Sequence, residues 1–188
     1  SGSGKTSLLR CIAGLEENAI ATIRFKNDLW QSHDHFLPTH ERRIGLVFQR
    51  QNLFPHLSSR QNIEFAEKRV NSTLDNINVD SVIDNLEIEH LLNKYPAQMS
   101  GGEQQLVALA RTLKSNPALL LMDEPLSSLD DPRKNRLLEI IKDLNKKHGL
   151  PILYVTHSVD EVLKIADHLL VIENGKLSIN KPLMEAFD

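Results

Sequence analysis

The chain opens with a glycine-rich turn that runs directly into a helix pattern, and this feature limits the fold more than any other. The first residues read Ser-Gly-Ser-Gly-Lys-Thr-Ser, and apolar residues then recur at helical spacing. Gly4, Lys5 and Thr6 match the end of the pattern G-x-x-x-x-G-K-[ST], in which a strand, a phosphate-binding loop and a helix follow one another. The turn therefore predicts a phosphate-binding α/β fold. The first glycine of the pattern would lie two residues before Ser1, so we expect an N-terminally truncated piece of that fold.

The opening turn carries the groups that a bound phosphate needs. Its glycines adopt backbone conformations that a Cβ would block, and consecutive N–H groups then form an anion-binding concavity at a helix N-terminus. Lys5 is expected to contact the β- and γ-phosphates, and the Thr6 hydroxyl is expected to bind Mg²⁺. A glycine–serine linker is the alternative, but the continuation into an apolar helix disfavours it. The predicted nucleotide-binding residues are Ser1, Gly2, Ser3, Gly4, Lys5, Thr6 and Ser7.

An acidic pair follows the most apolar run of the chain. Residues 118–122 predict a fully buried strand, and Asp123 and Glu124 come directly after it. Ligands of parallel sheets bind at this end of a strand, and adjacent strand residues point to opposite faces. We therefore expect different roles, with Asp123 holding Mg²⁺ and Glu124 taking a proton from an attacking water as general base. On this pattern alone, a solvated acidic turn stays open.

Patterns of strands and helices alternate along the rest of the chain. The predicted strands cover 20–25, 44–49, 118–122, 152–156, 169–172 and 176–179. The predicted helices cover 4–14, 61–95, 103–116, 132–147 and 159–166. The second of them is broken at 71–73 and carries an apolar stripe over 82–92. Such alternation predicts a mainly parallel sheet flanked by helices.

Composition excludes several classes of protein. Lys plus Arg is 22 and Asp plus Glu is 25, which leaves a net charge of −3 and no broad positive field for nucleic acid. A single cysteine, Cys11, excludes a disulfide framework. The longest apolar run is far shorter than the ~18 residues of a membrane span. We therefore expect a soluble, reduced, cytoplasmic domain.

Further motifs resemble those of the ATP-binding cassette (ABC) ATPases. The stretch from Ser100 to Gln104 is similar to the signature motif of that family, usually Leu-Ser-Gly-Gly-Gln, and it opens a helix as it does there. Ser127 to Asp130 resembles the loop that follows the acidic pair. His157 resembles the switch histidine that contacts the γ-phosphate, and Gln49 resembles the glutamine that senses Mg²⁺ and the attacking water. Each match alone has an ordinary structural explanation, but all stand in the family's order.

The resemblance implies a fold, a reaction and a set of site residues. The fold is a P-loop NTPase, an ABC-type nucleotide-binding domain spanning 1–188, in which a helical subdomain at about 50–115 carries the signature motif. The reaction is hydrolysis of ATP with Mg²⁺. The implied catalytic residues are Glu124, His157 and Gln49. The implied metal ligands are Thr6, Gln49 and Asp123. The implied further nucleotide contacts are Ser100, Gly101, Gly102 and Asp130.

The resemblance also implies partners and a location. Members of the family form head-to-tail homodimers around ATP and dock on transmembrane permease subunits through the segment Gln49 to Leu57. A solute-binding protein acts indirectly, and nucleic acid has no part. The expected location is peripheral, on the cytoplasmic face of the inner membrane.

Within the family, several stretches are similar to the molybdate importer ATPases. They are 36–38, 42–45, 121–126, 131–134 and 151–158. This similarity implies uptake of a small solute, molybdate or a related oxyanion, and a C-terminal oxyanion-binding domain that we expect to be missing here. Two alternatives stay open: a non-transport cassette ATPase of translation or DNA repair, and a catalytically impaired binding protein.

The chain also departs from the family's usual motifs. Met99 and Glu103 stand where Leu and Gln are commoner, and Leu106 stands where Arg is usual. The aromatic residue that stacks on adenine has no assignable counterpart.

Overall fold

A computed structural model describes residues 3–49, 52–67, 83–84 and 86–186 of the chain. Its architecture is α/β, with a parallel sheet and helices, as the sequence predicts. The helices are α1 Lys5–Ala13, α2 Ser59–Glu67, α3 Gly101–Lys114, α4 Asp131–His148 and α5 Val159–Ile165. The strands are β1 Ile23–Phe25, β2 Asp28–Gln31, β3 Ile44–Val47, β4 Leu119–Asp123, β5 Ile152–Val155, β6 His168–Glu173 and β7 Lys176–Pro182. Among the described residues, no helix combines the length and apolar character needed to cross a bilayer.

The chain divides into two compact units. The first unit contains the residues up to Ile44 and those from Val155 onward, and the second runs from Gly45 to Tyr154. The first unit contains α1, the antiparallel pair β1–β2, α5 and the antiparallel hairpin β6–β7. The second unit contains α2, α3, β4 and α4, and most of β3 and β5.

In the second unit, β4 is the middle strand of the order β3-β4-β5. All five of its residues are buried, as expected for a strand covered on both faces. Helix α4 buries one apolar stripe, whereas α3 is buried on nearly all sides over 105–110, and the two helices supply much of the core. Their buried apolar residues include Leu106, Leu109 and Leu113 of α3 and Leu137, Ile141 and Leu144 of α4.

Two element predictions are wrong, and each has a local cause. The strand predicted at 20–25 is shorter, and the turn falls at Lys26 and Asn27, so that Asp28 begins a strand the pattern missed. Lys26 has a φ of 53°, a left-handed conformation. Because this conformation is uncommon for lysine, the residue type does not predict it.

The helix predicted at 61–95 is also wrong over its last part. Glu87, at a φ of 53°, ends the helical run, and Glu89–Leu91 is a 3₁₀ turn. The apolar residues of the predicted stripe are nevertheless buried, because Leu86, Ile88 and Leu91 are each no more than 5% exposed. The break predicted at 71–73 lies outside the described residues.

Candidate functional site

The opening turn delivers its residues to the N-terminus of α1. Ser1 and Gly2 lie outside the described residues. Gly4 precedes the helix with a φ of 95°, and the Lys5 ammonium donates a hydrogen bond to Ser3 Oγ at 2.8 Å. Helix α1 has no acidic residue in its first turn, so no carboxylate there offsets the positive end of the helix dipole. This arrangement suits an anion.

The far end of α1 is held by a residue that the sequence analysis missed. The Arg42 guanidinium, 1% exposed, donates to the backbone carbonyls of Cys11 at 3.0 Å, Ile12 at 2.8 Å and Leu37 at 2.7 Å. Burial lowers the pKa of Arg42. Gly14 ends the helix with a φ of 74°, and a Cβ there would lie 2.7 Å from Arg42 Nε. Arg42 therefore fixes the helix that carries the opening turn.

His157 lies on a well-held turn between β5 and α5. Its ring is exposed, and its neighbours form a small hydrogen-bond network. Thr156 Oγ1 donates to Glu161 Oε2 at 2.7 Å, and the Ser158 N–H donates to Thr156 Oγ1 at 3.0 Å. Ser158 Oγ accepts the Glu161 N–H at the start of α5. The network fixes the backbone on both sides of His157.

The acidic pair lies at the end of β4. Asp123 is the last strand residue and is 7% exposed. Glu124 lies beyond the strand with a φ of 47°, a left-handed conformation, so it does not continue the alternation of the strand on which the sequence prediction relied. The Glu124 carbonyl accepts hydrogen bonds from the Ser127 N–H at 3.3 Å and from Ser127 Oγ at 3.0 Å. Asp123 is thus buried and Glu124 half-buried, and their different roles stay a prediction.

Ser100 caps α3. Its hydroxyl accepts the Glu103 N–H at 3.2 Å, while Glu103 Oε2 accepts the Ser100 N–H at 2.7 Å. This reciprocal pair is a capping box. The other Glu103 oxygen lies 3.9 Å from Lys94 Nζ and 3.9 Å from His90 Nε2. The hydrogen bond from the Ser100 backbone is the main cause that holds the pKa of Glu103 below its usual value.

The turn at the start of the signature motif, Ser100 to Gly102, packs directly on the loop that follows the acidic pair. A Cβ on Gly102 would lie 3.0 Å from the Ser128 carbonyl oxygen and 3.0 Å from Leu129 Cδ2, whereas one on Gly101 would meet nothing nearer than 3.9 Å. In the same loop, Asp130 caps α4 and accepts the Arg133 N–H at 3.0 Å. Within the second unit, the structure thus brings the predicted Gly101, Gly102 and Asp130 into one neighbourhood.

Gln49 follows β3 and is exposed. The preceding carbonyl, of Phe48, accepts a long hydrogen bond of 3.4 Å from Gln105 Nε2 on α3. Gln105 is 1% exposed, and its buried Oε1 has no hydrogen-bond partner within the part of the chain that the structure describes. Nothing in the sequence pattern singles out Gln105.

The segment predicted to dock on membrane subunits is firmly held where it is described, from Asn52 onward. Asn62 of α2 accepts the Phe54 N–H at 2.9 Å and donates to the Phe54 and Leu57 carbonyls, both at 3.1 Å. The Phe54 ring meets the Phe65 ring edge-on at 4.7 Å, and the Arg111 guanidinium lies 5.4 Å from its centre. The segment therefore presents a preformed surface.

The predicted site residues are divided between the units. The first unit contains Ser3 to Ser7 and His157, and the second contains Gln49, Ser100 to Gly102, the acidic pair and Asp130. Each group keeps the local geometry described above.

The chain is similar in sequence to known ABC transporter proteins. The profile of the ABC transporter family matches residues 1–127. The chain is 49% identical to the molybdenum import ATP-binding protein ModC of Thiobacillus denitrificans, over 97% of this chain and 51% of that protein. It is 50% identical to the protein of the same name from Saccharophagus degradans, over 93% of this chain and 48% of that protein. The chain therefore spans about half the length of the curated relatives it matches.

Solved structures agree with the fold. A dimeric bacterial ABC transporter cassette superimposes with a TM-score of 0.84 at 28% identity, over 97% of this chain and 82% of that one. A dimeric post-hydrolysis state of an ATP-binding cassette, bound to ADP and phosphate, superimposes with a TM-score of 0.83 at 28% identity, again over 97% and 82%.

Proposed function

Because this chain belongs to the ABC transporter family of ATP-binding proteins, we propose that it is the ATP-hydrolysing cassette of an importer for a small oxyanion, molybdate in the first place. The observation that carries the proposal is the packing of the capped Ser100–Gly102 turn on the loop after Asp123 and Glu124. Two motifs distant in the chain are thereby assembled as one surface. The relatives are molybdenum import proteins, which favours import over a role in translation or DNA repair.

The opening turn is the proposed triphosphate site. The N-terminus of α1 and the Lys5 ammonium supply positive charge to the β- and γ-phosphates. Thr6, Gln49 and Asp123 carry hydroxyl, amide and carboxylate oxygens, a donor set that fits Mg²⁺. Phosphate oxygens and water would complete the coordination, as is usual for Mg²⁺ in nucleotide sites. The ion would neutralise charge on the phosphoryl oxygens.

Hydrolysis then needs a base and a positioned water. In our proposal, Glu124 accepts a proton from the water while the oxygen of that water forms a bond to the γ-phosphorus. The bond between that phosphorus and the bridging oxygen breaks, and ADP leaves. Gln49 orients the water, and His157 donates a hydrogen bond to the γ-phosphate.

We propose that the working unit is a head-to-tail homodimer. The capped turn of one subunit, through Ser100 and the glycines that follow, contacts the γ-phosphate bound by the other. Two solved structures of one cassette that resembles this chain are dimeric, which supports the assembly. Charge-assisted hydrogen bonds from both subunits to one phosphate would close the dimer, and hydrolysis would release it.

The preformed surface around Phe54 is the proposed contact with the permease. Its segment follows Gln49, so a change at the nucleotide can move it. This contact would hold the cassette on the cytoplasmic face of the inner membrane. A solute-binding protein would act through the permease alone.

The general-base role is tested by Glu124→Gln in the intact natural protein. We expect ATP to bind normally while phosphate release falls about 100-fold or more, because general-base catalysis contributes at least that factor. Glu139→Gln, at an exposed position of α4, is the matched control and should keep full activity. Unchanged phosphate release by Glu124→Gln would reject the assignment.

The substrate class is tested by reconstituting the protein with its permease and binding protein in vesicles. We expect molybdate to raise ATP hydrolysis, and the same vesicles without the binding protein to show no response. A response to an uncharged solute but not to molybdate would contradict the oxyanion proposal.

A further inference from the structure

We propose that Gln105 is a positioning residue for Gln49, linking the segment that carries Gln49 to the helix that begins at Ser100. The inference rests on the proposed function, in which both of those residues serve the same reaction. Its starting point is the buried Gln105 oxygen, for which residues 3–49, 52–67, 83–84 and 86–186 provide no hydrogen-bond partner.

The Gln105 side chain is poorly satisfied for a buried amide. A carboxamide can donate two hydrogen bonds and accept two. Gln105 is 1% exposed, yet among the described residues its NH₂ group makes one hydrogen bond, of 3.4 Å, and its oxygen makes none. That bond is longer than the usual 2.7–3.2 Å of an N–H···O contact. An apolar side chain of the same size would avoid the cost of desolvating the amide.

The neighbouring Gln104 shows what a structural glutamine looks like on the same helix. Its Nε2 donates to the Pro96 carbonyl at 2.9 Å and to the Met99 carbonyl at 3.2 Å. Those two bonds tie the first turn of α3 to the chain that leads into it. Gln104 thus stabilises the fold, whereas the buried amide of Gln105 makes one long hydrogen bond with the described residues.

The single partner of Gln105 explains why an amide is present. The acceptor is the Phe48 carbonyl, one residue before Gln49 and 57 positions from Gln105 in the chain. Helix α3 is capped at Ser100 by two hydrogen bonds. A bond from α3 to this carbonyl therefore links the backbone next to Gln49 to the helix that begins with the signature motif. Because a shift of about 1 Å in a positioning group can cost on the order of 100-fold in rate, a weak tether here has a large effect on catalysis.

The test compares Gln105→Met with Gln104→Met in the intact natural protein. Met is apolar, unbranched and adaptable, so both variants keep side-chain volume. For Gln105→Met we expect a melting temperature equal to or above that of the wild type, kcat for ATP hydrolysis about tenfold lower, and KM for ATP little changed. For Gln104→Met we expect a lower melting temperature.

A double variant tests whether the effect passes through Gln49. In a Gln49→Ala background, Gln105→Met should lower kcat little further, since the group that it positions is already gone. A full additional loss in that background would overturn the inference. So would an unchanged kcat in Gln105→Met alone, or a melting temperature that falls as far as that of Gln104→Met.

The wild-type protein separates this inference from the function on which it rests. If the wild type hydrolyses no ATP, the proposed function and the inference fail together. If the wild type is active and Gln105→Met keeps its kcat, the inference alone fails.

Discussion

At the scale of single residues, Arg42 shows how a buried cation is accommodated by backbone carbonyls. Two of its acceptors, the carbonyls of Cys11 and Ile12, lie in the last turn of α1, where the helix dipole is negative. The planar guanidinium also lies 5.0 Å from the centre of the Phe36 ring. Its shape matters, because several donors in one plane reach carbonyls on different elements.

We therefore predict that Arg42→Lys lowers the free energy of unfolding by about 2–4 kcal/mol, since an ammonium cannot reach all of these carbonyls and leaves some buried and unsatisfied. Urea denaturation monitored by circular dichroism measures the change. Arg43→Lys, at the exposed neighbouring position, is the control and should change stability by less than about 0.5 kcal/mol. An equal loss of unfolding free energy in the two variants would show that the buried Arg42 guanidinium has no special role in stability.

At the scale of elements, the contact between the start of α3 and the loop before α4 depends on a missing side chain. We predict that Gly102→Ala lowers the free energy of unfolding by about 1–3 kcal/mol, because its Cβ would meet a backbone oxygen that cannot move aside cheaply. Gly101→Ala is the matched control, one residue away, with room for the added methyl group. Thermal unfolding of both variants distinguishes them, and a Gly101→Ala loss as large as that of Gly102→Ala would contradict the packing argument.

The cap of the same helix should make stability depend on pH. The pKa of Glu103 is lowered in the folded protein, chiefly by the Ser100 N–H that its carboxylate accepts. A lowered folded pKa means that Glu103 stabilises the protein above its unfolded value of about 4.5 and loses this contribution as the pH falls toward the folded pKa. We predict that the stability difference between the wild type and Glu103→Gln shrinks as the pH falls from neutral to below about 4.

Parallel urea titrations of the two proteins across that range measure the difference. Because Gln can accept the same Ser100 N–H, the comparison isolates the charge. A difference that stays constant with pH would show that the carboxylate gains nothing from its charge.

Features that depend on neighbouring residues could be predicted from the sequence, whereas contacts between distant residues could not. The helix predicted after the Gly101–Gly102 pair and the buried strand predicted at 118–122 are both confirmed as elements, because caps and apolar runs are local in the chain. Their bounds differ slightly, since the helix already begins at Gly101 and the strand runs from Leu119 to Asp123. Contacts between distant residues were not predicted, among them Arg42 with Cys11, which lie 31 positions apart. A side chain's choice of a carbonyl so far away depends on the packed fold, and no pattern of neighbouring residues encodes it.

At the scale of the whole molecule, the central question is whether one ATP needs residues from one subunit or two. In the proposed head-to-tail dimer, each site takes Lys5 from one subunit and Ser100 from the other. Two inactive variants with different defects can then restore each other's function, because a mixed dimer contains one site in which both residues are intact. A site built within one subunit allows no such rescue.

We predict rescue when Lys5→Ala is mixed with Ser100→Asp, each in the intact natural protein. Asp can still cap α3, so the fold is preserved. Its negative charge repels the γ-phosphate, so the variant no longer binds the nucleotide held by the other subunit. Random pairing makes about half of the dimers mixed, each with one intact site, so ATP hydrolysis should reach about a quarter of the wild-type rate. Mixing Lys5→Ala with the double variant Lys5→Ala, Ser100→Asp is the control, since no pairing there restores a site. A first mixture no more active than this control would reject the shared site.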